Sequence, residues 1–378
     1  MKFGTLLIHN VNGTDKHTGA LSVPIYQTST FHQADIDNPT MYNYSRSGNP
    51  TRSVLEQAIA QLEGGTHGFA FSSGMAATSS ALSIFKSGDH VLVCEDVYGG
   101  THRICNGYFK RFALETSFID AADPGKVKSK IKKNTKAIFL ETPSNPLLKI
   151  TDLREMVRIA KENDLVVLVD NTFMSPYLQR PLELGADVVI HSATKFIGGH
   201  SDVVGGLVVV KDENLAGRIY SVQNSFGAIL GPQDSWLLLR GLKTLKVRMD
   251  FQQKSAQRLA EWFAGHKGIS HTFYPGLEGH PGRDVHFAQA DGAGAVFSFQ
   301  TRRVDTARRL MKKLKLAAVA VSLGGVETIV SYPVKMSHAS MPVKERERLG
   351  ILNTLIRVSV GLEETEDLIA DFDAALRP

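Results

Sequence analysis

Residues 191 to 202, HSATKFIGGHSD, place a lysine where a charge is awkward. Lys195 follows two small hydroxyl residues, Ser192 and Thr194, and the stretch itself follows an apolar run, ADVVI at 186 to 190. Such a run has the composition of a buried parallel strand. A lysine desolvated at the end of one has a depressed pKa and can act as a nucleophilic amine, forming a Schiff base with a carbonyl. An ammonium that snorkels to solvent is the ordinary alternative.

The neighbouring segments favour the chemistry. Asp170 closes a second apolar run, LVVLV at 165 to 169, and precedes Lys195 by 25 positions (195 − 170), the interval of one strand-helix-strand unit. SSGMAA at 72 to 77 is a glycine-containing strand-to-helix junction, where free N–H groups and the helix dipole favour a phosphate. Donors from two strand ends, a nucleophilic lysine between them and a carboxylate on the adjacent strand are what pyridoxal 5'-phosphate requires. The carboxylate keeps the pyridine nitrogen protonated, so that the ring acts as an electron sink. Other phosphate readings are disfavoured, because the chain contains no GxxxxGK[ST] loop and no GxGxxG between a strand and a helix. His191 and His200 have no carboxylate companion at ligand spacing and are expected to be structural, so no metal is expected.

These residues need a sheet to hold them. Short apolar runs at 67–74, 90–96, 115–120, 136–141, 165–171, 187–193 and 205–210 alternate with helical patterns. One such pattern, TDLREMVRIAKEN at 151 to 163, opens with a threonine as expected N-cap. The alternation predicts an α/β fold with a mostly parallel sheet and helices on both faces, whose ligands bind at the carboxyl ends of the strands. A long helical stretch, about 232 to 266, precedes a part of different rhythm that predicts a smaller α+β domain. The expected division is an arm over 1–60, a large domain over 61–250 and a small C-terminal domain over 251–378.

Bulk properties bound the rest. Of 378 residues, 43% are apolar and 21% charged, and 43 basic against 38 acidic residues leave +5 without a block of like charge. The densest basic cluster, KVKSKIKK at 126 to 133, lacks interleaved aromatics and predicts a solvated helix face, so no nucleic-acid partner is expected. Cys94 and Cys105 lack CxxC spacing. No stretch reaches about 18 consecutive apolar residues and the N-terminus has no signal-peptide pattern. The expectation is a cytoplasmic protein without a membrane partner.

Several blocks in order carry a resemblance: YSRSGNPT (44 to 51), FSSGMAA (71 to 77), DVYGGT (96 to 101), ETPSNP (141 to 146), VDNTF (169 to 173), DVVIHSATKFIGGHS (187 to 201), SLGGVET (322 to 328) and IRVSVGLE (356 to 363). With these, the sequence resembles the Cys/Met-metabolism family of pyridoxal phosphate enzymes, the cystathionine synthases and lyases, almost end to end. The resemblance implies the fold type I, aspartate aminotransferase-like architecture and a homotetramer built as a dimer of dimers. It implies that Lys195 carries the cofactor covalently, Asp170 pairs with the pyridinium and Tyr98 stacks on the ring. The phosphate would be held by Gly74, Met75, Ser192 and Thr194, with Tyr44 and Arg46 reaching in from the neighbouring subunit. Asn145, Ser322 and Arg357 would hold the substrate carboxylate. The strand-like company of Arg357 agrees, because an unpaired guanidinium there would be costly and a carboxylate would pair with it. An internal salt bridge to an Asp or Glu is the alternative.

The expected reaction is removal of the Cα proton of cystathionine by Lys195 and departure of a thiolate from the β carbon, giving homocysteine, pyruvate and ammonia. The segment GGVETIVSYPVKMSHASMP (324 to 342) is most similar to the Gram-positive cystathionine β-lyases. The same catalytic set serves γ-elimination, and a transferase such as cystathionine γ-synthase or an acylhomoserine sulfhydrylase is the alternative. Asn43 and Val321 stand where many γ-lyases and γ-synthases carry acidic residues.

Overall fold

The apolar runs form the strands of two sheets. The computed structural model describes residues 1–9, 15, 17–339 and 341–377. The larger sheet contains β1 (His67–Phe71), β2 (His90–Cys94), β3 (Glu115–Ile119), β4 (Thr135–Glu141), β5 (Val166–Asp170), β6 (Val188–Ser192) and β7 (Gly206–Val210). Its order is β1-β7-β6-β5-β4-β2-β3, and β7 alone runs against its neighbours. Both faces are covered. On β7, Val208 and Val210 enter one core cluster while Leu207 and Val209 enter the other, as the two-residue period of a strand requires.

Helix signals are local and legible at Pro50–Glu63. The Asn49 side chain accepts from Thr51 N and Arg52 N, proline occupies the first turn and Gly64 ends the helix at φ 69°. The helix Leu153–Lys161 differs from expectation: its N-cap is Asp152, whose carboxylate accepts from Glu155 N at 3.0 Å. A carboxylate is the stronger acceptor there and favours the helix dipole. Thr151 lies one residue outside, its N–H donating to Thr142 Oγ1 at 3.0 Å. The stretch over 232–266 likewise divides into Pro232–Lys243 and Leu245–Gly265 at Thr244 (φ −107°, ψ 2°). The buried Arg248 guanidinium donates to the Gly241 carbonyl at 2.8 Å, so that carbonyl at the first helix end needs no continuing turn, and it also donates to Phe196 O at 2.7 Å.

The smaller sheet has the order β10-β11-β12-β9-β8, from β8 (Ile269–Phe273), β9 (Val296–Thr301), β10 (Ala318–Val319), β11 (Ile329–Ser331) and β12 (Leu355–Ser359). Its core stacks Phe263 on Phe299 at 4.1 Å, with Phe372 edge-on at 5.1 Å. Residues 17–49 belong to neither sheet and have little regular structure, leaving Leu21, Ile36 and Met41 exposed. The basic cluster is charge-matched: Lys126 meets Asp120, Lys128 meets Glu155 and Lys132 meets Glu115.

Candidate active site

Parallel strands deliver their carboxyl ends to one side, and there a cavity of about 490 Å³ opens between the two sheets. Glu141 ends β4, Asp170 ends β5 and Ser192 ends β6. β1 runs the same way and leads through Ser72 and Ser73 into the helix Gly74–Leu82. The smaller sheet supplies the opposite wall with Arg357 on β12 and with the Ser322 loop.

Lys195 follows β6 in a tight turn, its N–H donating to Ser192 O at 3.1 Å. Its Nζ donates to Ser322 Oγ at 2.6 Å. Burial, with the Arg357 charge second, holds the amine down to about 8, while Asp170 opposes the shift. Ser322 adopts φ 86°, a left-handed conformation that costs a serine energy. From it the Ser322 hydroxyl meets Lys195 and the Ser322 carbonyl accepts from Arg357 at 2.6 Å.

Asp170 accepts from Thr172 N at 3.0 Å and from Thr172 Oγ1 at 2.5 Å. Thr172 Oγ1 in turn accepts from Ser192 N at 2.8 Å, so one hydroxyl ties the ends of β5 and β6. Burial pushes the Asp170 carboxyl up, and the two Thr172 donors and the Lys195 charge pull it back.

The Gly74–Leu82 helix presents the N–H groups of Gly74 and Met75 without a protein acceptor among the described residues, since the Ser73 side chain caps Ala76 N instead. A Cβ on Gly74 would lie 2.8 Å from Ser192 Oγ, and one on Gly206 would lie 2.1 Å from Ser73 O. Both glycines keep the junction open and let backbone approach backbone. Ser192 Oγ has no protein partner among the described residues. Thr194 Oγ1 donates to Gly205 O at 3.2 Å and accepts from Gly205 N at 3.0 Å.

Arg357 is 3% exposed; NH1 donates to Asn145 Oδ1 at 2.8 Å and NH2 to Ser322 O at 2.6 Å. It makes no ion pair within 4.0 Å among the described residues, and its Nε has no partner. The internal salt bridge weighed from the sequence is therefore absent from these residues. A buried guanidinium that faces the cavity and has no carboxylate in ion-pair contact is suited to receive one.

The cavity brings together Lys195, Asp170, Tyr98, Gly74, Met75, Ser192, Thr194, Asn145, Ser322 and Arg357. It does not include Tyr44 or Arg46 of the same chain, which stack at 5.4 Å on the outer strap, Arg46 Nε donating to Asn224 Oδ1 at 3.3 Å. Sequence reasoning missed Thr172, Glu141 and Arg103. Thr172 and Glu141 stood in quoted blocks as strand-end residues without a task. Arg103, last in the helix Gly99–Arg103, lines the cavity just before the π-helical turn Ile104–Tyr108. His191 is buried with Nε2 2.5 Å from Glu63 Oε1, and His200 Nδ1 lies 2.8 Å from Gly198 O.

These residues fit pyridoxal phosphate. Unpaired helix-terminal N–H groups and hydroxyls suit its phosphate, a doubly bonded buried carboxylate suits its ring nitrogen, and a depressed lysine suits its aldehyde. Fold and site together define an α/β enzyme that works with this coenzyme. A family model described as Cys/Met metabolism PLP-dependent enzyme matches residues 4–377, and the chain belongs to that family. It is 55% identical to the cystathionine beta-lyase MetC of Bacillus subtilis over 99% of this chain and 96% of that protein. It is 49% identical to a cystathionine gamma-lyase of the same organism over 100% of this chain and 99% of that protein. Among solved structures, a Lactobacillus plantarum cystathionine gamma-lyase complexed with L-serine superposes with a TM-score of 0.96 at 44% identity, covering 99% of this chain and 98% of that one.

Proposed function

We propose that this protein is a carbon–sulfur lyase that cleaves cystathionine by β-elimination, consuming water and releasing homocysteine, pyruvate and ammonia. The observation that carries the reading is the buried Lys195 bonded to Ser322 in a cavity that Asp170 also lines and whose buried Arg357 has no ion-pair partner among the described residues. The β-lyase name of the 55%-identical relative supports β over γ elimination.

The geometry supports the following roles. Gly74, Met75, Ser192 and Thr194 would hold the coenzyme phosphate, Asp170 would take the ring N–H and Tyr98 would cover the ring face. When bound, the coenzyme supplies an electron sink for the charge left on Cα. Arg357 and Asn145 orient the substrate carboxylate, fixing which Cα bond lies toward Lys195. Lys195 would tether the coenzyme, and its amine, held down to about 8 by burial and the Arg357 charge, would take the Cα proton. Ser322 Oγ, 2.6 Å away, steadies that amine. Arg103 offers a second cation for the carboxylate at the far end of cystathionine.

We place the reaction in a homotetramer, a dimer of dimers, in which Tyr44 and Arg46 complete the phosphate site of the neighbouring subunit. Their position outside their own chain's cavity and the exposed Leu21, Ile36 and Met41 on the same strap support this. The arm, large and small domains divide at about 60 and 250, in keeping with separate sheets over 67–210 and 269–359. A cytoplasmic setting accords with two buried, unbridged cysteines; no helix among the described residues is long and apolar enough to cross a membrane.

Incubation of the holoenzyme with L-cystathionine, followed by mass spectrometry, tests the reading. Homocysteine and pyruvate support it, cysteine and 2-oxobutyrate replace it with γ-elimination, and unchanged cystathionine favours a transferase.

A further inference from the structure

Three carboxyl groups converge beneath the cavity, and only one has a task in the reaction above. Asp96 follows β2 and is bonded to Ser144 Oγ; Asp170 ends β5; Glu141 ends β4, one strand from Asp170 and directly in register with it. Glu141 is 5% exposed and lines the cavity, with Oε2 accepting from Tyr98 N at 2.9 Å. It makes no ion pair among the described residues. Lys149 offsets Asp96 and Lys195 offsets Asp170, whereas Glu141 has only Arg357 on β12, beyond ion-pair distance. The Cys94 thiol on β2 is also nearby and is pushed up by burial first and by Asp96 second.

Two carboxylates on adjacent strands in a buried site resist ionising together, so one of them keeps a proton. The donors are unequal. Asp170 has the Thr172 N–H and hydroxyl and the Lys195 charge beyond ion-pair distance, whereas Glu141 has the N–H of Tyr98 at 2.9 Å and a weaker second donor in the Asn145 N–H. We propose that Glu141 is a positioning residue carried as the neutral acid: it anchors Tyr98 through the main-chain N–H and leaves Asp170 the sole anion at these two strand ends. This rests on the reading that Tyr98 covers the coenzyme ring and Asp170 its nitrogen. Burial, with Asp170 second, pushes the Glu141 carboxyl well up, in line with that assignment. Tyr98 is the residue before the helix Gly99–Arg103, so the acid also fixes where that helix, and Arg103 at its end, begins.

The test uses the holoenzyme and the pH midpoint of its visible absorption band. Glu141→Gln keeps the acceptor for Tyr98 N and is an isostere of the neutral acid, so its midpoint should stay within about 0.3 unit of wild type and its kcat within about threefold. If Glu141 were an anion, removing its charge would lower the midpoint by about one unit or more, which overturns the proposal. Glu141→Ala should lower kcat about tenfold or more through a displaced Tyr98 while retaining the band. An alanine variant with wild-type kcat overturns the positioning role, and a glutamine variant inactive at an unchanged midpoint overturns it too, because the acid proton would then act in the chemistry. Should the alanine variant not fold, the glutamine midpoint alone decides. A wild-type protein without a visible band would sink the coenzyme reading itself, a result separate from any shift in Glu141→Gln.

Discussion

Replacing Arg357 with lysine probes the carboxylate site most sharply. The guanidinium is 3% exposed and spans two fixed acceptors, Asn145 Oδ1 at 2.8 Å and Ser322 O at 2.6 Å, with a further edge for substrate. A lysine keeps the charge but is a point donor and cannot span the same width. It forfeits one charge-assisted hydrogen bond and the two-point grip on the carboxylate, together about 3 kcal/mol. That corresponds to about 150-fold in kcat/KM. Most of the loss should fall in KM, while the coenzyme dissociation constant changes less than about twofold, because Arg357 holds substrate and not coenzyme. Steady-state kinetics with cystathionine, beside a spectroscopic coenzyme titration, reads both. Arg357→Leu supplies an internal control: removing the charge as well should raise the Lys195 pKa above about 8, since the Arg357 charge helps to depress it. A kcat/KM within tenfold of wild type for Arg357→Lys, or a loss confined to coenzyme affinity, would refute the assignment.

Further outcomes follow from the same geometry. With its amine near 8, Lys195 is about one-quarter neutral at pH 7.5, against about 0.1% for an ordinary lysine at 10.5; covalent uptake of coenzyme by the apoprotein should therefore speed up with pH and level off above about 8, as stopped-flow absorbance would record. Thr172→Val removes the hydroxyl shared by Asp170 and Ser192 N, and should weaken coenzyme binding by about tenfold or more in an equilibrium titration. Arg103→Ala should raise KM for cystathionine about tenfold or more, yet leave KM for an S-alkylcysteine, which has one carboxylate, nearly unchanged.

Strand ends were legible because a buried parallel strand is a continuous apolar run, so the first polar residue after it marks the ligand side of the sheet. Lys195, Asp170 and Ser192 were found that way. Tyr98 and Asn145 were placed by resemblance, since a tyrosine or asparagine in a loop carries no period. Glu141 gains its meaning from register against Asp170, which no single strand encodes. Arg103 gains its own from lining the cavity at the end of its helix, and Thr172 from bridging two strands. The break at Thr244 was hidden because the Gly241 carbonyl at the helix end is satisfied by the Arg248 side chain, a contact that no local pattern marks. The cap at Asp152 rather than Thr151 is the usual one-residue uncertainty of a helix start.

The account stands on Lys195 as the covalent lysine. Borohydride reduction of the holoenzyme, proteolysis and mass spectrometry would locate the coenzyme directly. The expected result is a pyridoxyl group on Lys195, in the peptide containing HSATKFIGGHSD; a label on another lysine, or on none, would contradict it.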